Sequence, residues 1–240
     1  MTLAIISHRC RGFNEPENTL AALEKALASK VDAVEIDVRL TREKRLIVWH
    51  DASYRDEHGR KHVIADETLV EAERHGKMSF ETALTAFKKH GKGKILQVDV
   101  KTHGCEKLLV RLIRTRRLER RVLVVSWIGA TLERVHALAP ELKLSFSFTQ
   151  KVWTSYEKGV PFWFASRLPY TIRKRIVPLE TVNIVPLVRV SWFLVWRLRR
   201  RGIKVVVVNV DDEKGNRRLE RLGVWGTMTN DAPRVLKTLR

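Results

Sequence analysis

The sequence predicts an α/β protein, a single (β/α)8 barrel that spans residues 1–240. Short apolar runs alternate with amphipathic stretches, which is the pattern of parallel strands joined by crossover helices. The runs VLVVS (122–126) and VVVV (205–208) are apolar throughout, as expected for strands buried on both faces. About eight such strands in 240 residues favour one closed barrel, and the absence of GxGxxG after the first strand disfavours a dinucleotide-binding sheet.

The predicted strands outnumber the eight places in the barrel by one. We therefore expect one of the runs LKLSFSF and TVNIV to lie outside the barrel. The predicted strands are LAIIS (3–7), AVEIDV (33–38), LIVW (46–49), KILQVDVK (94–101), VLVVS (122–126), LKLSFSF (142–148), TVNIV (181–185), IKVVVVNV (203–210) and VWGTMTND (224–231).

Amphipathic stretches between these strands predict the helices. In the first, Leu20, Leu23 and Leu27 share one face and Asn18 is the expected N-cap; Gly91 is the expected end of the second. The predicted helices are NTLAALEKALAS (18–29), SFETALTAFKKHG (79–91), CEKLLVRLIRTRR (105–117), ATLERVHALAP (130–140) and DEKGNRRLERLG (212–223).

Composition limits the possible compartments and partners. There are 46 Lys and Arg against 27 Asp and Glu, a formal charge of +19, and such a surface attracts polyanions. No apolar run approaches the roughly 18 to 20 residues that cross a bilayer, and the first run is too short for a signal peptide. We expect a soluble, cytoplasmic protein in which Cys10 and Cys105 are free thiols, since two cysteines make no disulfide framework.

Candidate catalytic residues stand at the predicted strand ends, which in a barrel meet at one mouth. His8 and Arg9 end the first strand, and a basic pair there suits an anionic ligand. Glu35 and Asp37 in EIDV lie two apart, so both point to the same side of their strand. Flanking apolar residues make a solvent-facing pair a poor interpretation, and two adjacent buried carboxylates require a cation.

Two further strand ends complete the predicted site. His50 ends the third strand, and Asp99 and Lys101 repeat the two-residue spacing in VDVK. Oxygen ligands from Glu35, Asp37 and Asp99 favour a hard cation, Mg²⁺ or Ca²⁺, over zinc. This inventory suits phosphodiester cleavage, in which Arg9, Lys101 and the cation stabilise charge on the phosphoryl oxygens. The two imidazoles can divide the acid and base roles.

The chain resembles the glycerophosphodiester phosphodiesterase family in seven pieces that follow the family order from residue 8 to residue 233. They are HRCRGFNEPENTLAAL, VDAVEIDVRLT, IVWHD, VDVK, LVVS before Trp127, VVVVNVDD and GVWGTMTNDAP. The resemblance implies a TIM barrel that hydrolyses glycerophosphodiesters to glycerol 3-phosphate and an alcohol. It also implies a divalent ion at Glu35, Asp37 and Asp99, catalytic roles for His8 and His50, and phosphate contacts from Arg9 and Lys101.

Three of the departures from the family pattern concern single residues or a short motif. Cys10 replaces the usual glycine after His-Arg, where its side chain is expected to crowd the site or alter its reactivity. Asp99 replaces the usual glutamate and is one methylene shorter, which bears on metal preference. The late strand keeps only Val208 and Asn209 of the usual Trp-Thr-Val-Asn, which bears on the glycerol pocket and on head-group preference.

Two alternative functions stay open at this point. A lysophospholipase D or a sphingomyelinase-D-like phosphodiesterase would use the same histidines and metal on a lipid. A non-enzymatic module would use the basic surface to bind anionic surfaces and would turn over no phosphodiester; the retained catalytic-type residues count against it.

Aromatic residues beside clustered cations add a hypothesis of peripheral contact with anionic membrane. The segment PFWFASRLPY (161–170) is the candidate contact, while VSWFLVW (190–196) is expected to pack against the barrel. We expect no nucleic-acid partner.

Overall fold

A computed structural model describes residues 2–148, 177–185 and 190–240, and these contain a closed barrel of eight parallel strands. Four other short strands lie outside the barrel. The barrel strands are β1 (Ala4–Ser7), β2 (Ala33–Leu40), β7 (Ile95–Val100), β8 (Val122–Ser126), β9 (Lys143–Phe148), β10 (Thr181–Ile184), β11 (Lys204–Val208) and β12 (Gly226–Thr229). The others are β3 (Leu46–Val48), β4 (Ser53–Arg55), β5 (Lys61–Val63) and β6 (Met78–Ser79).

The barrel closes because β1 pairs in parallel with strands from both ends of the chain. Ile6 lies opposite Met228 of β12 on one side and opposite Ala33 of β2 on the other. Every residue of β8 is buried, and so is every residue of β11 except Lys204, as predicted for strands covered on both faces. The predicted fold class, a single-domain (β/α)8 barrel, is confirmed.

The expectation about the surplus strand is wrong. LKLSFSF and TVNIV are both barrel strands, β9 and β10, and they pair in parallel with each other. Of the nine predicted strands, the one that lies outside the barrel is LIVW, which forms β3 and pairs antiparallel with the end of β2, Val48 opposite Val38. A short apolar run carries no information about strand direction, so periodicity could not distinguish the two cases.

Helices cross between successive barrel strands and bury one face against them. In α1 the buried face consists of two alanines with Leu23 and Leu27, while Leu20 is 38% exposed. The helices among the described residues are α1 (Leu20–Ala28), α2 (Leu69–Arg74), α3 (Phe80–His90), α4 (Glu106–Thr115), α5 (Gly129–Leu138), α6 (Trp192–Arg199), α7 (Glu213–Arg221) and α8 (Ala232–Leu239).

The predicted N-cap of α1 is also wrong by one residue. Thr19 caps the helix, because its side-chain oxygen accepts a hydrogen bond from the Ala22 amide. Asn18 instead has a left-handed backbone, with φ of 58°, and its side chain donates to Asp37. Gly91 follows α3 as predicted.

Side chains fill the barrel interior, which leaves only its mouth for a substrate. Hydrogen-bonded polar side chains cross the interior. Thr181 donates to Ser145 at 2.7 Å, and Asn183 donates to Gln97 at 3.4 Å. The apolar part of the interior consists of Ile6, Ala33, Val206, Val208 and Met228. A packed interior of this kind restricts chemistry to the carboxyl ends of the strands.

The polar segment between His50 and α3 forms a small unit with its own hydrogen-bond network. The β4–β5 hairpin holds His62 between two carboxylates, with Nε2 2.9 Å from Asp56 and Nδ1 2.7 Å from Glu67. The Tyr54 hydroxyl donates to Glu67, and the His75 ring lies 4.4 Å from the His62 ring. Hydrogen bonding to the Asp56 carboxylate raises the pKa of His62, so this network favours the imidazolium form.

Among the residues that the structure describes, no helix has the length and apolar character needed to cross a bilayer. The segment PFWFASRLPY (161–170), named above as a candidate membrane contact, lies outside the described ranges.

Candidate active site

Strand register brings the three predicted carboxylates together at the mouth of the barrel. β2 and β7 pair in parallel with Asp37 directly opposite Asp99, and Glu35 lies one inward-facing position below Asp37. Each of the three carboxylates offers one oxygen that lies within 4.8 Å of the other two. All three side chains are buried, with exposures of 8% or less.

Burial and neighbouring charges give the three carboxyl groups different pKa values. Burial raises the pKa of Glu35 well above its ordinary value, and the charges of Asp37 and Asp99 raise it further. Burial also raises the pKa of Asp99 despite the nearby Lys101 ammonium. Burial alone would raise the pKa of Asp37 too, but Lys101, His50 and Arg9 outweigh it and hold that pKa below its ordinary value.

The two predicted phosphate-contacting cations lie among these carboxylates. Lys101 Nζ is 2.6 Å from Asp99 Oδ2 and 3.0 Å from Asp37 Oδ1. Arg9 Nε is 3.4 Å from Asp37 Oδ2, and the Arg9 amide donates to Glu35 Oε2 at 2.7 Å. Three buried carboxylates against two cations leave the cluster with one excess negative charge when all are ionised.

His8 is held in one tautomer by a chain of contacts from the last strand. Asn230 Nδ2 donates to Asp211, which directs the amide oxygen toward His8, and His8 Nδ1 lies 2.8 Å from that oxygen. An amide oxygen only accepts, so Nδ1 carries the hydrogen and Nε2 keeps its lone pair. Burial, followed by the charge of Arg9, lowers the pKa of His8 to about 4, so the ring is neutral at pH 7.

His50 reaches the same mouth by a different route from the one predicted. β3 runs antiparallel to β2 and returns the chain to the level of Asp37, whose carbonyl accepts from the Trp49 amide at 3.1 Å. The Arg39 Nε then donates to the His50 carbonyl at 2.8 Å. The His50 Nδ1 lies 2.8 Å from Asp51, so Nδ1 is the donor to that carboxylate and Nε2 is the free nitrogen.

Cys10 does not crowd the mouth as expected. It has φ of 57°, the left-handed region that glycine adopts without strain, and this explains why a glycine would suit the position. Its side chain is fully buried within the large core cluster, and Sγ lies 3.6 Å from the Glu35 carbonyl. The thiol therefore packs behind Glu35, away from the space that a substrate would enter.

Gly12 allows the loop that carries His8 to pack against the start of α8. Its φ is +96°, and a Cβ there would lie 2.9 Å from Pro233 Cδ and 3.0 Å from the Ala232 nitrogen. Any side chain would displace the loop from α8.

We predict that both cysteines resist modification in the native protein. Cys10 and Cys105 are free and fully buried, and burial raises the pKa of Cys10 well above its ordinary value and that of Cys105 to about 12. Because the thiolate is the reactive form, iodoacetamide at pH 8 should label neither thiol in buffer and both in urea, as measured by mass spectrometry. Rapid native labelling of Cys10 would contradict the packing described above.

The carboxylate cluster fits a divalent cation. Its donors are all oxygens, as hard cations prefer, and its excess negative charge is of the sign that a cation would neutralise. The Asp99 Oδ1 atom is buried and accepts no hydrogen bond from the described residues, an arrangement that is costly for a carboxylate oxygen without a partner.

The structure adds polar residues that the sequence patterns did not assign to the site. Asn18 Nδ2 donates to Asp37 Oδ2 at 3.0 Å, and its Oδ1 accepts from the Asp37 amide at 3.4 Å. Glu17 accepts from Arg9, and Asp211 fixes Asn230 as described above. No sequence pattern indicated these roles, because they depend on contacts between distant segments.

Comparison with known proteins gives a consistent result. A model of the glycerophosphoryl diester phosphodiesterase family matches residues 8–233. A glycerophosphodiester phosphodiesterase from Caldanaerobacter subterraneus subsp. tengcongensis is 25% identical over 256 residues, which cover 100% of this chain and 99% of that protein. A human lysophospholipase D is 25% identical over 267 residues, covering 96% of this chain and 83% of that protein.

A solved structure matches the whole barrel. The phosphodiesterase from Oleispira antarctica, in complex with the product sn-glycerol-3-phosphate, superposes with a TM-score of 0.74. The match covers 99% of this chain and 96% of that one at 19% sequence identity, so it supports the fold.

Proposed function

Because the chain belongs to the glycerophosphoryl diester phosphodiesterase family and is a phosphodiesterase, we propose that it hydrolyses glycerophosphodiesters to glycerol 3-phosphate and an alcohol. Residues 1–240 form the catalytic domain in this proposal. The observation that carries it is the convergence at one mouth of His8, His50 and the cluster of Glu35, Asp37 and Asp99.

His8 is the general base in this proposal. Its ring is neutral at pH 7, its Nδ1–H is held by Asn230, and its Nε2 lone pair lies 4.0 Å from Glu35 Oε2, beside the carboxylate cluster. A neutral imidazole with one nitrogen fixed as a donor can take a proton only at the other. The proton comes from the nucleophile, either water or a hydroxyl of the substrate.

His50 is the general acid. Its Nδ1–H donates to Asp51, which orients the ring so that Nε2 can give a proton to the leaving alcohol. The charge of His50 contributes to holding down the pKa of Asp37 and partly opposes the effect of burial on the pKa of Asp99, which supports its place at the mouth.

A divalent ion, Mg²⁺ or Ca²⁺, held by Glu35, Asp37 and Asp99 would supply positive charge against the phosphoryl oxygens. Arg9 and Lys101 lie beside the same carboxylates and carry the remaining positive charge of the site. Once their carboxylate partners are neutralised, Arg9 and Lys101 would be able to donate hydrogen bonds to the phosphoryl oxygens of the substrate. Negative charge accumulates on these oxygens in the transition state.

A lipid substrate is the second candidate, supported by the similarity to the human lysophospholipase D over nearly the whole chain. A lysophospholipid carries the same phosphodiester, so the same histidines and carboxylates would serve. The sphingomyelinase-D-like alternative would use the same chemistry, and the substrate panel below tests it as well.

We predict turnover of glycerophosphocholine or glycerophosphoethanolamine by the purified chain. A panel of these two esters, lysophosphatidylcholine and sphingomyelin, assayed with Mg²⁺ and with Ca²⁺, separates the candidates by the product released. Glycerol 3-phosphate from the water-soluble esters supports the main proposal, whereas lysophosphatidic acid as the predominant product favours the lipid alternative. No turnover of any ester under either metal would leave the non-enzymatic binding module.

We also propose a cytoplasmic enzyme that contacts the anionic membrane surface peripherally, in keeping with a formal charge of +19. A role in lipid metabolism follows from the proposed substrates. The proposal includes no nucleic-acid partner.

A further inference from the structure

We infer that α6 is a docking surface for anionic lipid bilayers. The sequence pattern favoured burial of VSWFLVW against the barrel, and the structure shows that this holds for only half of the helix. Leu194, Val195 and Leu198 are buried, whereas Trp192, Phe193 and Trp196 are 62%, 45% and 40% exposed.

The three exposed rings form one continuous patch. The Trp192 and Trp196 rings stack with centroids 6.0 Å apart, and Phe193 stacks on Trp196 at 5.9 Å. Leu194, Val195 and Leu198 anchor the helix to the barrel, so the rings are presented on a rigid element. A bilayer interface suits such rings, because tryptophan and phenylalanine insert at head-group depth.

Cations border the patch on the same helix. The Arg200 guanidinium lies 5.3 Å from the Trp196 ring, and Arg197 and Arg199 occupy the same C-terminal turns. In the part of the chain that the structure describes, no carboxylate forms an ion pair with these three arginines. Their charges are therefore available to lipid phosphates, and this complementarity favours an anionic bilayer over a neutral partner.

A surface groove joins the rings to the cations. Trp192, Trp196, Arg199 and Arg200 line it, with Val195 and Leu222 at its base. Flat apolar walls beside guanidinium groups suit a lipid molecule. Its phosphate would contact arginine, and its acyl chain would lie along the indole rings.

The orientation of α6 places the first residues of the patch toward the catalytic side of the barrel. A crossover helix between parallel strands runs opposite to them, so α6 begins at the carboxyl end of β10, the end at which the carboxylate cluster lies. Trp192 and Phe193 form the first residues of the helix. Docking through these rings would hold the barrel mouth near the lipid surface.

The test is co-sedimentation with vesicles of phosphatidylglycerol and phosphatidylcholine, without any substrate, so that it does not depend on the proposed hydrolysis. We expect the wild-type protein to bind vesicles that contain phosphatidylglycerol and to dissociate as salt shortens the screening length from about 10 Å at 0.1 M to about 3 Å at 1 M. The variant with Trp192, Phe193 and Trp196 all replaced by Ser should bind at least about tenfold more weakly.

Two matched controls separate this surface from the general positive charge. Val70→Ser removes an apolar side chain that is 57% exposed on α2 and should leave binding unchanged. The pair Arg197→Gln and Arg200→Gln should weaken binding more than the pair Lys107→Gln and Arg111→Gln, which removes the same charge from α4 on another side of the barrel. Circular dichroism and thermal melts check that every variant is folded.

Several outcomes would overturn the inference. These are wild-type protein that stays in the supernatant at low salt, or a triple variant that binds as tightly as the wild type. An α6-dependent change of mass in light scattering would assign the patch to a second copy of the chain. Binding of single-stranded DNA but not of vesicles, lost in the triple variant, would assign it to nucleic acid.

Discussion

Replacement of His50 by alanine is expected to lower the turnover of glycerophosphodiesters by at least about 10²-fold, the usual contribution of a positioned general acid. The fold should survive, because Arg39 binds the His50 carbonyl and the Asp37 carbonyl binds the neighbouring Trp49 amide, and alanine keeps this backbone. The measurement is kcat for a water-soluble ester, together with the thermal melting temperature of the variant.

The chain offers a matched control for this variant. His58 lies in the same segment, and its side chain is 82% exposed, so His58→Ala should leave kcat unchanged. A specific loss in the His50 variant should also be partly rescued by added imidazole, which a structural role would not explain. Near-normal turnover by His50→Ala would refute the assignment of His50 as the acid.

Removal of divalent ions is expected to abolish turnover, and Mg²⁺ or Ca²⁺ should restore it. Without a cation, Glu35, Asp37 and Asp99 must share Lys101 and Arg9, and burial raises the pKa of Glu35 so that it tends to bind a proton instead. A cluster that is neutralised by a proton on Glu35 instead of by a divalent ion lacks the additional positive charge that the phosphoryl oxygens need. The measurement is activity after chelation, with titration calorimetry of metal binding to the stripped protein.

Two variants show which of two side-chain clusters binds the metal that turnover requires. Glu35→Gln keeps an oxygen that can accept from the Arg9 amide but removes a charge, so it should weaken metal binding and turnover together. Asp56→Asn changes the second cluster that could hold an ion, formed by Asp56, His62 and His75, and should leave both unchanged. Full activity after rigorous chelation would exclude a role for the cation.

Much of the architecture is encoded locally and was therefore predictable. Alternating apolar runs and amphipathic stretches are sufficient to predict a parallel barrel, and strands such as β8 are buried on both faces as their composition requires. The two-residue spacing of Glu35 and Asp37 ensures that both lie on the same face of their strand, since side chains alternate along a strand.

Two features became known only from the packed fold: which strand leaves the barrel and how His50 reaches the mouth. LIVW is too short for its pattern to reveal an antiparallel return, and the length of β2 beyond the barrel provides the edge on which it pairs. His50 therefore lies at the mouth as predicted, but it does not end a barrel strand, which was the reason for that prediction.

The residues that hold the proposed catalytic and metal-binding side chains in place could not be predicted, although the side chains that they hold could. The fold class and the residue types at the strand ends could be predicted from the amino-acid order, because periodicity and spacing are properties of neighbouring residues. The contact of His8 with Asn230, 222 positions away, and that of Asn18 with Asp37 depend on barrel closure and strand register. Such contacts arise when distant segments pack, and no local pattern specifies them.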